Sequence, residues 1–385
     1  MSKAAELAAL IANVNKGSSL GNKNLVINGA MNVAQRGTSF SFAHDGTVSS
    51  YTIDRFAAQI WQNTDELDGT FAQVADAPSG TGLTHSLKWT TGTAESAVAS
   101  DEALWVEQKI EAQNVRELCY GTSDAKPVTL SFWVKSSITG TFNVSLYQAD
   151  GNRIINKTYA ISSTNTWEYK TLTFAGDTSG TINDDNGEGL RPYWNIFAGS
   201  GYNSTDRTSW GSYSTATWAY GHAQNAHATT AGATFLLTGV QLEVGEKATE
   251  FSHESFSESL KKCQRYYFRI EGDDIDGGKY ATHYRRRSAP GHFYTDTQVI
   301  SLFDFPVPMR AAPTALEQNG TDSDYDFVYR NTTSTPSGAV IAFDAATQYN
   351  CSVTQTGHTD NNAQGEAGFQ RIRQAAGYLG WSAEL

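Results

Sequence analysis

Cysteine, charge and long apolar runs are all scarce in this sequence, and each scarcity closes off a class of function. The three cysteines, Cys119, Cys263 and Cys351, lie far apart with no Cys-x-x-Cys pair. That spacing argues against a disulfide framework and against a cysteine-based zinc site. Charged residues make up 18% of the chain, and the acidic ones prevail to give a net charge of −12. An acidic surface repels phosphate backbones, so nucleic acid is not an expected partner. No stretch approaches the roughly 20 apolar residues that span a bilayer. Residues 1–16 lack the basic n-region and cleavage pattern of a secretory signal. The expectation is a chain made and kept soluble in a cytoplasm, or released from it by lysis, with no membrane insertion. His222, His227, His253, His283, His292 and His358 form no His-Glu-x-x-His or His-x-His pattern. No phosphate loop, nucleophile elbow or dinucleotide fingerprint stands in a supporting context.

Glycine is plentiful instead, at 34 residues, and aromatics reach 12%. With Ser, Thr and Asn between short alternating runs, this composition predicts an all-β chain with many turns. Candidate strands occur in NLVINGAMNV (24–33), broken by Asn28-Gly29, and in YTIDRFAAQIWQ (51–62), LTHSLKWTT (83–91) and ALWVEQKIEA (103–112). VTLSFWVKSS, TFNVSLYQAD, RIINKTYAIS, EYKTLTFAG and TFLLTGVQLEVG continue the series to residue 245. Alternation puts Leu130, Phe132 and Val134 on one face and Ser131, Trp133 and Lys135 on the other. It does the same for Leu104 and Val106 against Trp105 and Glu107, and for Val144 and Leu146 against Ser145 and Tyr147. Regular short strands of this kind predict an antiparallel jelly-roll sandwich over 18–250. FSHESFSESLKKCQRYYFRI (251–270) reads differently, as a helical connector over 251–267 whose helix runs from Phe256 to about Tyr266. Strand patterns resume in GHFYTDTQVISLFDFPVPM, DFVYRN, GAVIAFDA, QYNCSVTQT and GYLGWSAEL, predicting a smaller β-domain over 268–385. At the other end, Leu7, Leu10, Ile11 and Val14 line one stripe of a helix over 3–15. That helix, within the 1–17 segment, is the candidate anchor or oligomer seam.

Several of these stretches, in order along the chain, resemble a family of bacteriophage tail-fibre and receptor-binding proteins. NLVINGAMNVAQRGTSF (24–40) with YTIDRFAA (51–58) is similar to its opening signature. VEQKIEAQNVREL (106–118), KPVTLSFWVKSSITGTF (126–142) and NTWEYKTLTFAGDT (165–178) resemble its carbohydrate-binding-module-like jelly roll. TFLLTGVQLEVGEKATEFSHESFSESLKKCQRYY (234–267) carries the most specific likeness, and FPVPMRAAPT and GYLGWSAEL resemble its C-terminal domain. The resemblance implies a homotrimeric virion protein on a tail or other exposed surface of a tailed phage. It would meet other tail or capsid proteins through its N-terminal region and bind host surface polysaccharide or another receptor. No extended shaft is visible, which favours a compact appendage.

Candidate chemistry falls in four places. The tract YWNIFAGSGYNSTDRTSWGSYSTATWAY (193–220) gathers Trp194, Tyr202, Trp210, Tyr213 and Trp218 with Asn203, Asp206 and Arg207. Flat rings stack on sugar C–H faces while polar neighbours bond hydroxyls, so this tract is either a glycan-binding site or packing around a long loop. Trp133, flanked by Ser and Lys, reads as packing under a loop or against a sister subunit. Asp184, Asp185 and Glu188, with Asn186, are hard oxygen donors that a structural calcium could use, but they lack EF-hand spacing. Asp273, Asp274 and Asp276 form a second acidic turn. Arg285, Arg286 and Arg287 are either an anion-binding triplet or a charged edge. Asp177 joins Asp184, Asp185 and Glu188 as a carboxylate that glycoside cleavage could use. No catalytic signature is present, and the expected role is non-enzymatic adhesion without a cofactor. A capsid-decoration or tail-adaptor role is the structural alternative, and a polysaccharide depolymerase is the enzymatic one.

Overall fold

The structure, a computed structural model, describes residues 3, 24–42, 48–61, 67–271, 288–319, 324–329, 332–334, 341–359, 363–372 and 377–385. The helical stripe Leu7, Leu10, Ile11 and Val14 lies outside the described residues, as do Arg285 to Arg287 and Asp273, Asp274 and Asp276. Two compact units divide the chain after Phe256.

In the first unit the strands are β1 (Ser39–Phe42), β2 (Val48–Tyr51), β3 (Ala57–Trp61), β4 (Gly69–Val74), β5 (Ser86–Thr91), β6 (Ala103–Glu107), β7 (Ile110–Glu111), β8 (Val128–Ser136), β9 (Gly140–Gln148), β10 (Arg153–Ile161), β11 (Glu168–Phe174), β12 (Glu188–Ala198), β13 (Gly211–Ser212) and β14 (Thr234–Val244). A six-stranded sheet has the order β1-β4-β5-β14-β8-β11, and an eight-stranded sheet the order β13-β10-β9-β12-β6-β3-β2 with β7 beside β12. Every pairing between them is antiparallel. The chain crosses from one sheet to the other between β1 and β2, β3 and β4, β5 and β6, β7 and β8, β8 and β9, β10 and β11, β11 and β12, and β13 and β14. This repeated crossing wraps the sandwich as a jelly roll.

Period-two alternation supplies the core. Leu130, Phe132 and Val134 of β8 face Phe142, Val144 and Leu146 of β9 and Trp194 of β12, and all are buried in one cluster. Phe132 meets Trp194 and Tyr159 edge-on, with centroids 5.8 and 5.2 Å apart. Each such side chain contributes about 1.5–3 kcal/mol of burial. The stretch 188–198 is a central strand, so Tyr193, Trp194 and Phe197, the first rings of the aromatic tract, belong to the sheet itself. Residues 24–33 correct the sequence reading, because they form turns and no strand. Asn28 adopts φ +60°. Its Oδ1 accepts from the Asn32 and Val33 amides at 3.0 Å, and its Nδ2 donates to the Val33 and Asp54 carbonyls. Asn24 likewise donates to Val240 O and accepts from the Leu242 amide. Short amide side chains offer the backbone these bonds in place of a ladder. Gly29 permits the approach, since a Cβ there would lie 2.0 Å from Val240 O.

Motifs that carried the family resemblance thus have structural work. Asp54 accepts from the amide and side chain of Gln35, and Arg55 donates to Lys109 O. Gln241 and Glu243 are buried and bond Thr249 and Ser252, pinning residues 249–252.

The second unit, Ser257–Glu384, opens on the helix Phe256–Gln264, which has Glu258 in its first turn and Lys261 and Lys262 in its last, charges placed to suit the helix dipole. Its strands are β15 (Tyr267–Glu271), β16 (Ser288–Phe293), β17 (Val299–Asp304), β18 (Glu317–Asn319), β19 (Tyr325–Tyr329), β20 (Thr332–Ser334), β21 (Ala342–Ala346), β22 (Asn350–Gln355), β23 (Ala367–Ile372) and β24 (Tyr378–Ser382). They form a three-stranded sheet, β15-β24-β18, and a seven-stranded one, β20-β19-β23-β16-β17-β22-β21. Trp381 anchors its core, stacked on Phe268 at 6.0 Å with Phe303 and Phe305 against it.

Phe132→Ala should destabilise the first unit by about 3–5 kcal/mol, whereas Thr171→Ala, on the exposed side of the neighbouring strand, should change stability by less than about 0.5 kcal/mol. Urea unfolding of both variants checks this, and equal losses would refute the assignment of inner and outer faces.

Candidate functional site

With the inner faces committed to the core, the outward residues of the eight-stranded sheet are the next to consider. Register places Tyr147 beside Arg191 in one row, Ser145, Tyr193 and Glu107 in the next, and Asn143, Asn195, Trp105 and Gln59 in a third. Trp61 follows opposite Ala103. This face is therefore built from rings, amides and charges.

The segment 199–225 lies over part of it. Trp218 sits at the centre of a ring cluster, 4.4 Å from Trp105, 5.0 Å from Trp61, 5.2 Å from Tyr193, 5.9 Å from Tyr202 and 6.0 Å from Tyr213 between centroids. Polar groups of the sheet hold the segment down. Ser145 Oγ donates to Trp218 O at 2.6 Å, and Asn156 Nδ2 donates to Thr217 O at 2.8 Å. Asn143 ties the floor together by donating to Asn156 and accepting from Asn195. Backbone bonds from Asn156 to Arg207 O, Tyr213 to Asn152 O and Ala223 to Thr141 O complete the fastening. Asn195 Oδ1 and Trp218 Nε1 have no partner among the described residues, which leaves an acceptor and a donor to spare beneath the cluster.

Beside the covered part, the sheet keeps a partly accessible polar row, in which Gln59, Glu188 and Arg191 are half-buried and Glu107 is fully buried. Arg191 binds Glu188 through two bonds of 2.7 Å and reaches Glu107 Oε2 at 3.2 Å. Its guanidinium also lies 5.3 Å from the Tyr147 ring centroid. Burial opposes the Arg191 charge, but Glu107 and Glu188 outweigh it and raise its pKa above the ordinary value. Trp105 Nε1 donates to Glu107 at 2.8 Å, and Gln59 Nε2 reaches the same carboxylate at 3.4 Å. Trp61, Tyr147 and Tyr213 stand half-buried around this row, and Tyr147 and Tyr213 meet edge-on at 5.4 Å. Fixed polar groups bordered by half-exposed rings can stack on one ligand face and hydrogen-bond its edges.

Most of the residues singled out from the tract have other tasks. Trp194 is fully buried between the sheets, so it cannot meet a ligand. Tyr202 and Trp218 are only 4% and 6% exposed. Tyr202 donates to Asp101 O, and burial pushes its hydroxyl up to about 12. Asn203 donates to His222 O, and Arg207 donates to Ser212 O and Asp206 O. The Asp206 carboxylate accepts from the Thr208 amide. Trp210 donates to Ala175 O at 2.6 Å and rests edge-on against Tyr120. Of the eight, only Tyr213 borders the accessible row. The calcium candidates are likewise parted. Asp184 lies 3.6 Å from Arg116, Asp185 accepts from the Gly187 amide, and Glu188 belongs to Arg191. Among the described residues no three His, Cys, Asp or Glu side chains converge as metal ligands. Asp177 pairs with Arg153 at 2.7 Å, apart from the row. The residues missed by the sequence reading are Gln59, Trp61 and Arg191, which meet Trp105, Glu107 and Tyr147, while Glu188, read as a calcium or catalytic carboxylate, instead pairs with Arg191. Outward alternation was a usable signal for Trp105, Glu107 and Tyr147. The others meet them only through non-local strand pairing.

No family model and no curated protein matches the chain in sequence. Among solved structures it is similar to the enzymatically active domain of bacteriophage CBA120 tailspike protein 4, at 13% identity and a TM-score of 0.30, over 58% of this chain and 21% of that one. It is also similar to the family 11 carbohydrate-binding module of Clostridium thermocellum, solved with a mixed-linked tetrasaccharide, at 9% identity and a TM-score of 0.28, over 55% and 99% of the two chains. A third is the CBM22-1 xylan-binding domain from Paenibacillus barcinonensis, at 14% identity and a TM-score of 0.24, over 56% and 99%.

The end of the covering segment carries a pH-dependent load. His222 and His227 are buried, and each meets the Phe142 ring edge-on at 5.6 Å. Burial lowers both to about 4, against the hydrogen bonds that favour their charged forms. In the unfolded chain they protonate near 6.5. Their contribution is therefore complete above pH 6.5 and is lost between 6.5 and 4 as the unfolded state takes up protons first, about 3 kcal/mol for each histidine. The unfolding free energy should fall steeply over that window, and the double variant H222Q/H227Q should flatten the fall. An unchanged slope in the variant would contradict the assignment.

Proposed function

We propose that this chain is a tail-fibre-like virion appendage of a tailed phage, adhering through several copies to glycans on the host surface. The observation that carries this reading is the accessible row on the eight-stranded sheet, where Trp61, Tyr147 and Tyr213 border Gln59, Glu188 and Arg191. Half-exposed rings offer flat apolar area to a pyranose C–H face. The polar groups beside them are already held by one another, so little side-chain freedom is lost on binding. The ordered resemblance to phage receptor-binding proteins supports the virion setting and a trimer. Three modest contacts on one particle raise avidity without a tight single site. Binding without cleavage is the favoured chemistry, because Glu107 and Glu188 both spend acceptors on one guanidinium. Glycoside hydrolysis needs one carboxyl free to deliver a proton.

Purified protein applied to immobilised bacterial surface polysaccharides should be retained with no release of reducing ends. Its solution mass by light scattering should be three times the 41.8 kDa of the chain. Tyr147→Ala and Tyr213→Ala should each weaken retention about tenfold, or about 1.4 kcal/mol, while Asp206→Ala should leave it unchanged. Release of reducing ends would identify a depolymerase instead. Retention by no polysaccharide, or indifference to both tyrosines, would defeat the proposal.

A further inference from the structure

The opposite sheet carries its own ring-and-charge surface. On its outer face Trp133 and Tyr169 are cross-strand partners, with ring centroids 5.2 Å apart and planes tilted by 46°. Tyr169 is 44% exposed, although hydroxyl-bearing threonines occupy the other outward positions of its strand. Strand pairing sets Lys135 and Lys88 on either side of Leu236 in one row. That is two strand spacings, roughly 10 Å. Trp167 lies under Lys135, whose Nζ is 5.3 Å from the ring centroid, and donates its Nε1–H to Asp76 at 3.1 Å. Lys135 completes an ion pair with the same carboxylate. Burial would raise the Asp76 pKa, but Lys135, Trp167 and Lys88 together bring it below the usual value, so the carboxylate stays ionised at neutral pH.

Two lysines therefore face one carboxylate, and the patch is net positive on a chain of net charge −12. Such a local reversal of sign gathers anions out of proportion to the whole molecule. The Trp133–Tyr169 pair offers ring area to the C–H face of a sugar ring. Asp76 fixes Lys135 in place and offers a remaining acceptor position to a hydroxyl. Lys88 is attracted to Asp76 and has no hydrogen-bond partner among the described residues.

We infer that the outer face of the six-stranded sheet is a second glycan-binding surface, selective for polysaccharides that carry carboxylate groups. Trp133 and Tyr169 take the sugar face, while Lys88 and Lys135 take the carboxylate. The surface is independent of the row on the eight-stranded sheet, since the two lie on opposite outer faces of the sandwich.

Affinity electrophoresis of the full chain through polygalacturonate at low salt tests it. Retention is expected, weakening as salt is raised because the charges are near solvent. Lys88→Gln and Tyr169→Ala should each reduce retention about tenfold, with unfolding midpoints unchanged. Lys88→Gln should leave retention by an uncharged surface polysaccharide as in the parent, because Lys88 lies on the opposite sheet from Tyr147 and Tyr213, so this inference and the proposed function fail separately. Through carboxyl-reduced polygalacturonate the protein should migrate without retardation. Absence of retention, retention indifferent to Lys88→Gln and Tyr169→Ala, or equal retention by the carboxyl-reduced polymer would each overturn the inference.

Discussion

Closure of the core between the two sheets is the constraint on which everything else in the first unit depends. Each strand has two faces, and the face turned inward is consumed by contacts such as Phe132 against Trp194 and Tyr159. Chemistry is left to the outward residues and to whatever loops lie over them. On the eight-stranded sheet the outward residues are unusual for a surface, since Asn143, Ser145, Asn156 and Asn195 are all buried. They are tolerable there because the covering segment supplies carbonyl partners and because they bond one another. A buried amide left without those bonds would cost roughly 1–3 kcal/mol. The covering segment and the polar floor thus stabilise each other, and the rings at their border are held in place by both.

That arrangement changes the meaning of the aromatic tract. Its rings are abundant because a second, smaller core forms outside the sandwich, centred on Trp218 and separate from the inter-sheet core. Rings at the middle of that outer core are packing. Those at its margin, Trp61, Tyr147 and Tyr213, keep part of their area open, and Tyr147 stands against the Arg191 guanidinium with Tyr213 beside it. Ring area left open to a ligand follows from position at the margin, not from the density of aromatics in the sequence.

Where alternation is regular, the sequence was a good guide. The faces of Val128–Ser136, Gly140–Gln148 and Ala103–Glu107 came out as their patterns predicted. The helix Phe256–Gln264 was legible from its capping serines and first-turn Glu258, whereas Ala367–Ile372, an interior strand of the seven-stranded sheet, lay outside every run singled out from the sequence. Trp194 misled because its strand contains Pro192 and a register shift between Asn195 and Phe197, which interrupts the period. Asn24 and Asn28 misled because their side chains replace ladder bonds inside a run that alternates like a strand. The polar row itself was beyond local pattern. Gln59, Glu107, Arg191 and Tyr147 become neighbours only through the order of strands β9, β12, β6 and β3, and no short-range signal encodes that order.

In the proposed function, the margin of the outer core on the eight-stranded sheet is what meets the glycan. Hydroxyl-radical footprinting with and without a retained, uncharged surface polysaccharide tests it directly, because it reads the solvent access of individual side chains. Bound polysaccharide should protect Trp61, Tyr147 and Tyr213 while leaving the exposed Tyr169 of the opposite sheet as reactive as before. Protection confined to other residues, with those three unchanged, would contradict the account.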